Sequence, residues 1–529
     1  MLIQTIDSWA ALRPEQPAHR VRGEKLSYSE LKDNSDSLAL WLHERALELG
    51  IPRGTPVVVC GHKQKEMPAS FLACSKAGFP YIPIDISMPP ERLKQVLRTA
   101  GAWAILSPQA IAAEAGQQTL LAVENMRCGS GPFAWQPGTA PPATWYVRAE
   151  EVYYIIFTSG STGLPKGVQI TLGSLLSFLH WVVSNFRPQA GKEVFLNQAP
   201  FSFDLSVLDL YMGLFSGSTL WSVDRDQITN PAQLFGCLAE SRLSYWVSTP
   251  SFVEICLMDP AFGQDLLPEL KYFLFCGEVL GHDTAAKLQA RFPQAQVVNM
   301  YGPTEATVAV TAISLTAEVM RQYNPLPVGW VKPDCRVLIC DPGALTESME
   351  AEAVGLEEPP PQLSDGLRGE IVIGGPSVSL GYLNNEAQTR KSFFAWLENG
   401  VRWQAYRTGD EGFLDNGLLF YCGRLDFQIK LHGYRIETGD IEENLRSIAG
   451  IGNAVVLPVA GNGKVQFLQA FLLVNEYPVD EYKAFRQIRE ALAQRLPEYM
   501  IPRRIRFVTQ FPLTPNGKVD RARLTEDTK

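Results

Sequence analysis

No apolar run in the 529-residue sequence approaches the roughly 18 residues that cross a bilayer, so no membrane-spanning helix and no integral membrane contact are expected. The amino terminus, Met1-Leu-Ile-Gln-Thr-Ile-Asp7, has no basic stretch leading into an apolar one. The expected address is therefore cytoplasmic, without a secretory leader. Cysteine is thinly spread: nine residues, an odd number, with no C-x-x-C pair. That pattern suits reduced thiols and disfavours a disulfide framework or a zinc site. The six histidines are dispersed as well, leaving neither a zinc cluster nor a histidine-based triad in view. Positive charge is in deficit, 47 Lys and Arg against 56 Asp and Glu, which argues against nucleic-acid binding. The remaining composition, 46% hydrophobic and 19% charged, is that of an ordinary globular protein, and the length predicts two or more domains, each with its own core.

Helix and strand signals alternate from the start. Ser27-Tyr-Ser-Glu30 has the spacing of a capping box, and Leu31, Leu38, Trp41, Leu42 and Leu49 then make one apolar helical face ending at Gly50. Thr55 to Cys60 reads as a buried strand, and the alternation continues through Phe71 to Asp85. This predicts an α/β fold with mixed, largely parallel sheets. Leu172 to Val183 is apolar at helical spacing. Between Asp341 and Leu367 the character changes: seven acidic residues, no Lys or Arg, and Pro359-Pro-Pro361 predict a solvated excursion outside the core. The last hundred residues predict a small α+β domain, with helices over Ile441–Ile448 and Tyr482–Leu496 and strands over Ala454–Val459 and Phe467–Val474.

The densest chemistry follows the apolar run Val152-Tyr-Tyr-Ile-Ile-Phe157. Thr158-Ser-Gly-Ser-Thr-Gly-Leu-Pro-Lys-Gly167 combines hydroxyls, glycines and Lys166 in ten residues. A strand ending in such a loop turns backbone N–H groups onto an anion and adds a compact positive charge, which is the outline of a phosphate cradle. It is not the G-x-x-x-x-G-K-[ST] loop, because Pro165 stands five residues after Gly160 and Gly167 follows the lysine.

Further along, Asp204 sits among Phe201, Phe203, Leu205 and Val207. A carboxylate in that company needs a partner: a ligand ammonium, or the first N–H groups of a helix it caps. Cys276 ends the apolar run Phe273-Leu-Phe275, where open α/β sheets place ligands, although a buried inert thiol would read the same. Asn299-Met-Tyr-Gly-Pro-Thr-Glu305 offers Tyr301 for stacking on a base and Glu305 for Mg²⁺, with Thr304 beside it. Tyr406-Arg-Thr-Gly-Asp410 puts a carboxylate just after a tight turn, suited to a ribose diol; Gly423-Arg-Leu-Asp426 follows, and Pro515-Asn-Gly-Lys518 holds a lysine at a loop tip. Taken singly, each of these is as readily a surface turn or ion pair.

Taken together and in order, Thr158–Gly167, Tyr301–Glu305, Tyr406–Asp410, Gly423–Asp426 and Pro515–Lys518 resemble the motifs of the adenylate-forming enzymes, which include acyl-CoA synthetases and amino-acid adenylation domains. The resemblance covers essentially the whole chain. It implies a large N-terminal core over 1–425 and a mobile C-terminal domain over 426–529, turning about Asp426 as a hinge. Thr158, Ser159, Gly160, Ser161, Thr162, Gly163 and Lys166 would hold the phosphates of ATP. Tyr301 would stack on adenine, Asp410 and Arg424 would grip ribose, and Glu305 with Thr304 would support Mg²⁺. Lys518 and Glu305 would be the catalytic pair. Within the family the segments around Asp204 and Cys276 are most similar to ligases that charge a carrier protein with D-alanine. That implies an acyl pocket made by Asp204, Cys276 and Val308, the phosphopantetheine thiol of the carrier as acceptor, and teichoic acids in Gram-positive bacteria as the later destination. An adenylation enzyme for another small amino acid, or a noncatalytic nucleotide-binding relative, would keep many of the same motifs.

Overall fold

The computed structural model describes residues 2–108, 138–160, 164–351, 356–425, 428–431, 433–461, 464–474, 476–512 and 519–526. The chain forms two compact units, one of Met1–Ile86, Ala100–Ile156 and Gly167–Gly423, the other of Ser87–Thr99, Phe157–Lys166 and Arg424–Lys529.

The first unit is built on two sheets. The smaller has the order Ala104–Leu106, Val57–Gly61, Tyr81–Asp85, Val152–Thr158, Lys166–Thr171, with parallel pairing from the first of these through the fourth. Its second strand, Val57–Gly61, is buried along its whole length, which is why that segment opens on a continuous run of valines and not an alternating pattern. The larger sheet is mixed. It is parallel from Pro17–Val21 through Thr219–Ser222, Val194–Asn197, Tyr245–Ser248 and Tyr272–Phe275 to Gln296–Tyr301, and antiparallel beyond. One apolar core joins the two sheets through the helices Glu66–Ala77, Leu172–Phe186 and Leu205–Phe215. The last is buried except at its final residue. The capping box is formed: Ser27 caps Tyr28–Leu49 with Glu30 reaching back, and Gly50 ends the helix in the left-handed region.

The second unit pairs Ile451–Gly461 with Lys464–Val474 in antiparallel register and adds Arg504–Val508 in parallel. Helices Thr438–Arg446 and Glu481–Ala493 cover an apolar core that includes Ile441, Leu445, Val456, Leu468 and Leu492. A separate hairpin pairs Gln428–Leu431 with Tyr434–Glu437.

Two expectations are corrected. The acidic segment is not wholly outside a core: it forms the helix Pro342–Ala351, and Leu345 and Leu356 bury against Cys340, Val372 and Trp396. Two leucines are enough to anchor it while Asp341, Glu347, Glu357, Glu358 and Asp365 stay exposed. Tyr406–Asp410 is not a turn but part of the strand Val401–Asp415, in which a register shift opposite Glu370 and Val372 coincides with Gly409 at φ +66°. That is a bulge, and it re-aims Asp410 without interrupting the strand. Among the described residues, no helix is long and apolar enough to cross a membrane.

Candidate active site

In the first unit, Tyr301 ends the strand Gln296–Tyr301 and its hydroxyl donates to Asp410 Oδ2 at 2.6 Å. Both side chains are buried, and the Asp410 backbone N–H donates to Thr408 Oγ1 at 2.9 Å within the bulge. Burial first, and the neighbouring carboxylate second, hold the Tyr301 phenol well above its usual range, so it stays a donor. The Tyr301 ring lies 5.9 Å from that of Tyr421, tilted by 37°.

Thr304 and Glu305 lie on the single 3-10 turn Thr304–Ala306. Glu305 is 1% exposed, and the Tyr382 hydroxyl donates to its Oε1 at 2.8 Å. Nothing local in the sequence pairs Tyr382 with Glu305; the contact spans 77 positions. The chain then enters two successive left-handed residues, Thr307 at φ +57° and Val308 at φ +69°. For β-branched side chains this is strained backbone. It is held by Thr307 Oγ1 donating to Ser377 O at 2.7 Å and by Gly302, where a Cβ would lie 2.6 Å from Ala309 Cα.

Cys276 follows the strand Tyr272–Phe275, is buried, and donates its S–H to the Val308 carbonyl at 3.5 Å. The structure thus joins two of the residues expected in an acyl pocket. Asp204 stands on another element, at the start of Leu205–Phe215. The capping alternative is not what is seen: its backbone is already helical, at φ −62° and ψ −28°, and its side chain makes no capping hydrogen bond. The carboxylate is half-buried rather than fully enclosed. Its charge adds to burial in raising the Tyr154 phenol well above the ordinary range.

In the second unit, Thr158, Ser159, Gly160 and Lys166 of the phosphate loop are described, and Ser161, Thr162 and Gly163 lie outside the described residues. Gly160 is required by contact: a Cβ there would stand 1.9 Å from the Leu164 carbonyl oxygen. Ser159 Oγ donates to the Arg435 carbonyl at 2.9 Å and accepts from the Glu437 N–H at 3.0 Å. Lys166 Nζ pairs with Glu437 Oε1 at 3.2 Å, both side chains being nearly buried. Arg424 is half-buried at the end of Leu418–Arg424. Asp426 and Lys518 lie outside the described residues.

The first unit thus holds a strand-end tyrosine bonded to a buried carboxylate and a second buried carboxylate on a strained turn, and the second unit holds a loop of hydroxyls and glycine that ends in a paired lysine. The sequence pattern of the AMP-binding enzymes matches residues 6–383, and that of the AMP-binding enzyme C-terminal domain matches 440–518. The chain belongs to the AMP-binding enzyme family. Among AMP-binding enzymes, it is 45% identical over 527 residues to the D-alanine--D-alanyl carrier protein ligase of Bacillus cereus (strain B4264), covering 99% of each chain. It is equally similar, at 45% over 99% of both chains, to the ligase of the same name from Bacillus thuringiensis (strain Al Hakam). In structure it is similar to holo-PA1221, an NRPS protein containing adenylation and PCP domains, with a TM-score of 0.81 and 26% identity, over 99% of this chain and 84% of that one. It shares its fold with the Vibrio cholerae adenylation domain AlmE, solved with glycyl-adenosine-5'-phosphate, at a TM-score of 0.77 and 23% identity over 100% and 97% of the two chains.

Proposed function

We propose that this AMP-binding enzyme activates D-alanine with ATP and passes it to a carrier protein. In the first step a carboxylate oxygen of D-alanine attacks the α-phosphorus of ATP. The bond from that phosphorus to the bridging oxygen breaks, and pyrophosphate leaves with the electron pair, giving D-alanyl-AMP. In the second, the phosphopantetheine sulfur of the carrier attacks the acyl carbonyl, the thiol proton is lost, and AMP departs. The D-alanyl group then goes on to teichoic acids, and the need for ATP makes the cytoplasm the compartment in this reading.

The observation that supports it most is an end-to-end likeness to ligases of that name in a chain that keeps Tyr301, Glu305, Asp410 and Lys166 as buried, hydrogen-bonded groups. In-line attack asks for alignment and charge neutralisation more than for a protein nucleophile. In this reading the segment from Thr158 to Lys166 holds the outgoing phosphates, Tyr301 meets adenine, and Asp410 with Arg424 grips the ribose. Asp204 pairs with the substrate ammonium, Cys276 and Val308 wall the methyl, and Lys518 sits on the charge shared by carboxylate and α-phosphate. The part after 425 turns about Asp426 between the two steps.

The Glu305 carboxylate and the Thr304 hydroxyl are hard oxygen donors on one turn, and they fit Mg²⁺ that arrives on the phosphates. Among the described residues no group of three or more His, Cys, Asp or Glu side chains could hold a metal alone, as suits an ion that keeps waters and phosphate oxygens. Bound there, it would neutralise charge on the phosphate oxygens.

The two-step reading is tested by incubating the chain with ATP, Mg²⁺, D-alanine and a phosphopantetheinylated D-alanyl carrier. Intact mass should show the carrier gaining one D-alanyl group, removable by hydroxylamine. No gain, or an equal gain on a carrier without phosphopantetheine, would overturn it.

A further inference from the structure

Lys63 follows the strand Val57–Gly61 in a polar stretch, His62-Lys-Gln-Lys65, that has every appearance of a surface loop. It is instead 2% exposed, deep in the first unit. Its Nζ donates to Asn197 Oδ1 at 2.6 Å and to the Ala199 carbonyl at 2.5 Å, and stands 4.4 Å from the centre of the Phe201 ring. Asn197, the last residue of Val194–Asn197, in turn donates through Nδ2 to Asp209 Oδ2 on the helix Leu205–Phe215. Asn197 Oδ1 also accepts from Ser222 Oγ at 2.7 Å, and Ser222 contacts His19 Nε2 at the same distance.

These contacts close around one segment. Asn197 is where the chain enters the loop 198–204, Asp209 is on the helix by which it leaves, and Ala199 and Phe201 are in its middle. The loop's own bonds, Phe203 N–H to the Pro200 carbonyl at 2.9 Å and Ser206 Oγ to the Phe203 carbonyl at 2.7 Å, stiffen its far end. Asp204 is the residue that this loop delivers.

We propose that Lys63 is a positioning residue for amino-acid recognition: by holding Asn197 and the Ala199 carbonyl it fixes the loop that presents Asp204 to the substrate ammonium. The proposal rests on the reading of Asp204 given above. An aliphatic residue of similar volume would fill the same space without the desolvation cost of a buried ammonium. What lysine adds is two directed bonds and a cation over an aromatic face. Burial lowers Lys63 to about 7 and raises Asp209 to about 7, and each group's charge works against the other's shift. Lys63, Asn197 and Asp209 thus form one electrostatic unit spanning both ends of the loop.

The test is a double-mutant cycle in the full-length chain, reading amino-acid-dependent ATP–pyrophosphate exchange at varied D-alanine and varied ATP. Lys63→Met should raise KM for D-alanine about ten- to a hundredfold, with KM for ATP within about twofold of wild type. In an Asp204→Ala background the same substitution should add no more than about threefold, because the group it positions is already gone. An undiminished Lys63→Met effect in that background, or a parallel rise in KM for ATP, would make Lys63 a general structural residue and overturn the proposal. If Asp204→Ala alone leaves KM for D-alanine unchanged, the Asp204 reading itself fails, and the role assigned to Lys63 falls with it. Should Lys63→Met not fold, Lys63→Gln keeps a donor without the charge and enters the same cycle. Failure of both variants to fold would overturn the proposal as well.

Discussion

The Tyr301 hydroxyl donates to Asp410 across 109 positions of sequence at 2.6 Å, and both side chains are buried. The bond orients a carboxylate that the fold could not leave unpartnered. It also makes adenine contact and ribose contact interdependent in the function proposed here.

Tyr301→Phe should therefore act on the nucleotide and not on the amino acid. Loss of one hydrogen bond to a buried charge is worth about 1.5 to 3 kcal/mol, so KM for ATP should rise roughly ten- to a hundredfold with KM for D-alanine little changed. Exchange kinetics at varied ATP check this, and an unchanged KM for ATP would separate the tyrosine from the ribose carboxylate.

Lys166 is paired with Glu437 in this structure, and it cannot serve that carboxylate and a triphosphate equally well. Glu437→Gln removes the competing charge, and KM for ATP should fall by roughly three- to tenfold. A weaker grip on ATP in the variant would mean that Glu437 supports the lysine and does not compete for it.

Cys276 bonds the Val308 carbonyl at a left-handed residue, so its sulfur is held and not free to swing. If Asp204 fixes the ammonium and Lys518 the carboxylate, a third wall suffices to tell D-alanine from its mirror image. Cys276→Ala should relax the D/L preference by roughly 10- to 200-fold, mainly through better use of L-alanine. An unchanged ratio of exchange rates would move chirality to another wall.

Much of this was legible because it is local. The capping box at Ser27 and Glu30, the buried valines of Val57–Gly61 and the helix from Leu172 all follow from residues within a turn or two of one another. Motif order carried the family, since each loop must keep its own chemistry. The misses are set by distant partners. Asp410 was expected after a turn, but its bulge is specified across the sheet by Glu370 and Val372. Leu345 and Leu356 were hidden among acids because two anchors make no periodic pattern. Lys63, in a polar stretch, gives no local sign of burial, because the Asn197 Oδ1 that accepts its hydrogen bond lies 134 residues on.

Lys518→Ala should separate the two half-reactions. Removing one donor from developing charge is worth about 3 kcal/mol, so adenylation should fall roughly a hundredfold or more, while thioester formation from supplied D-alanyl-AMP largely survives. Equal loss in both steps would argue against a lysine used only for adenylation.

The central claim, that this chain makes an adenylate of D-alanine, is tested most directly by ATP–pyrophosphate exchange with a panel of D- and L-amino acids and with propionate. Exchange should be fastest with D-alanine. It should be at least about tenfold slower with L-alanine and close to background with propionate, which offers Asp204 no ammonium. Exchange with none of the panel, a clear preference for another amino acid, or propionate used as readily as D-alanine would contradict the account.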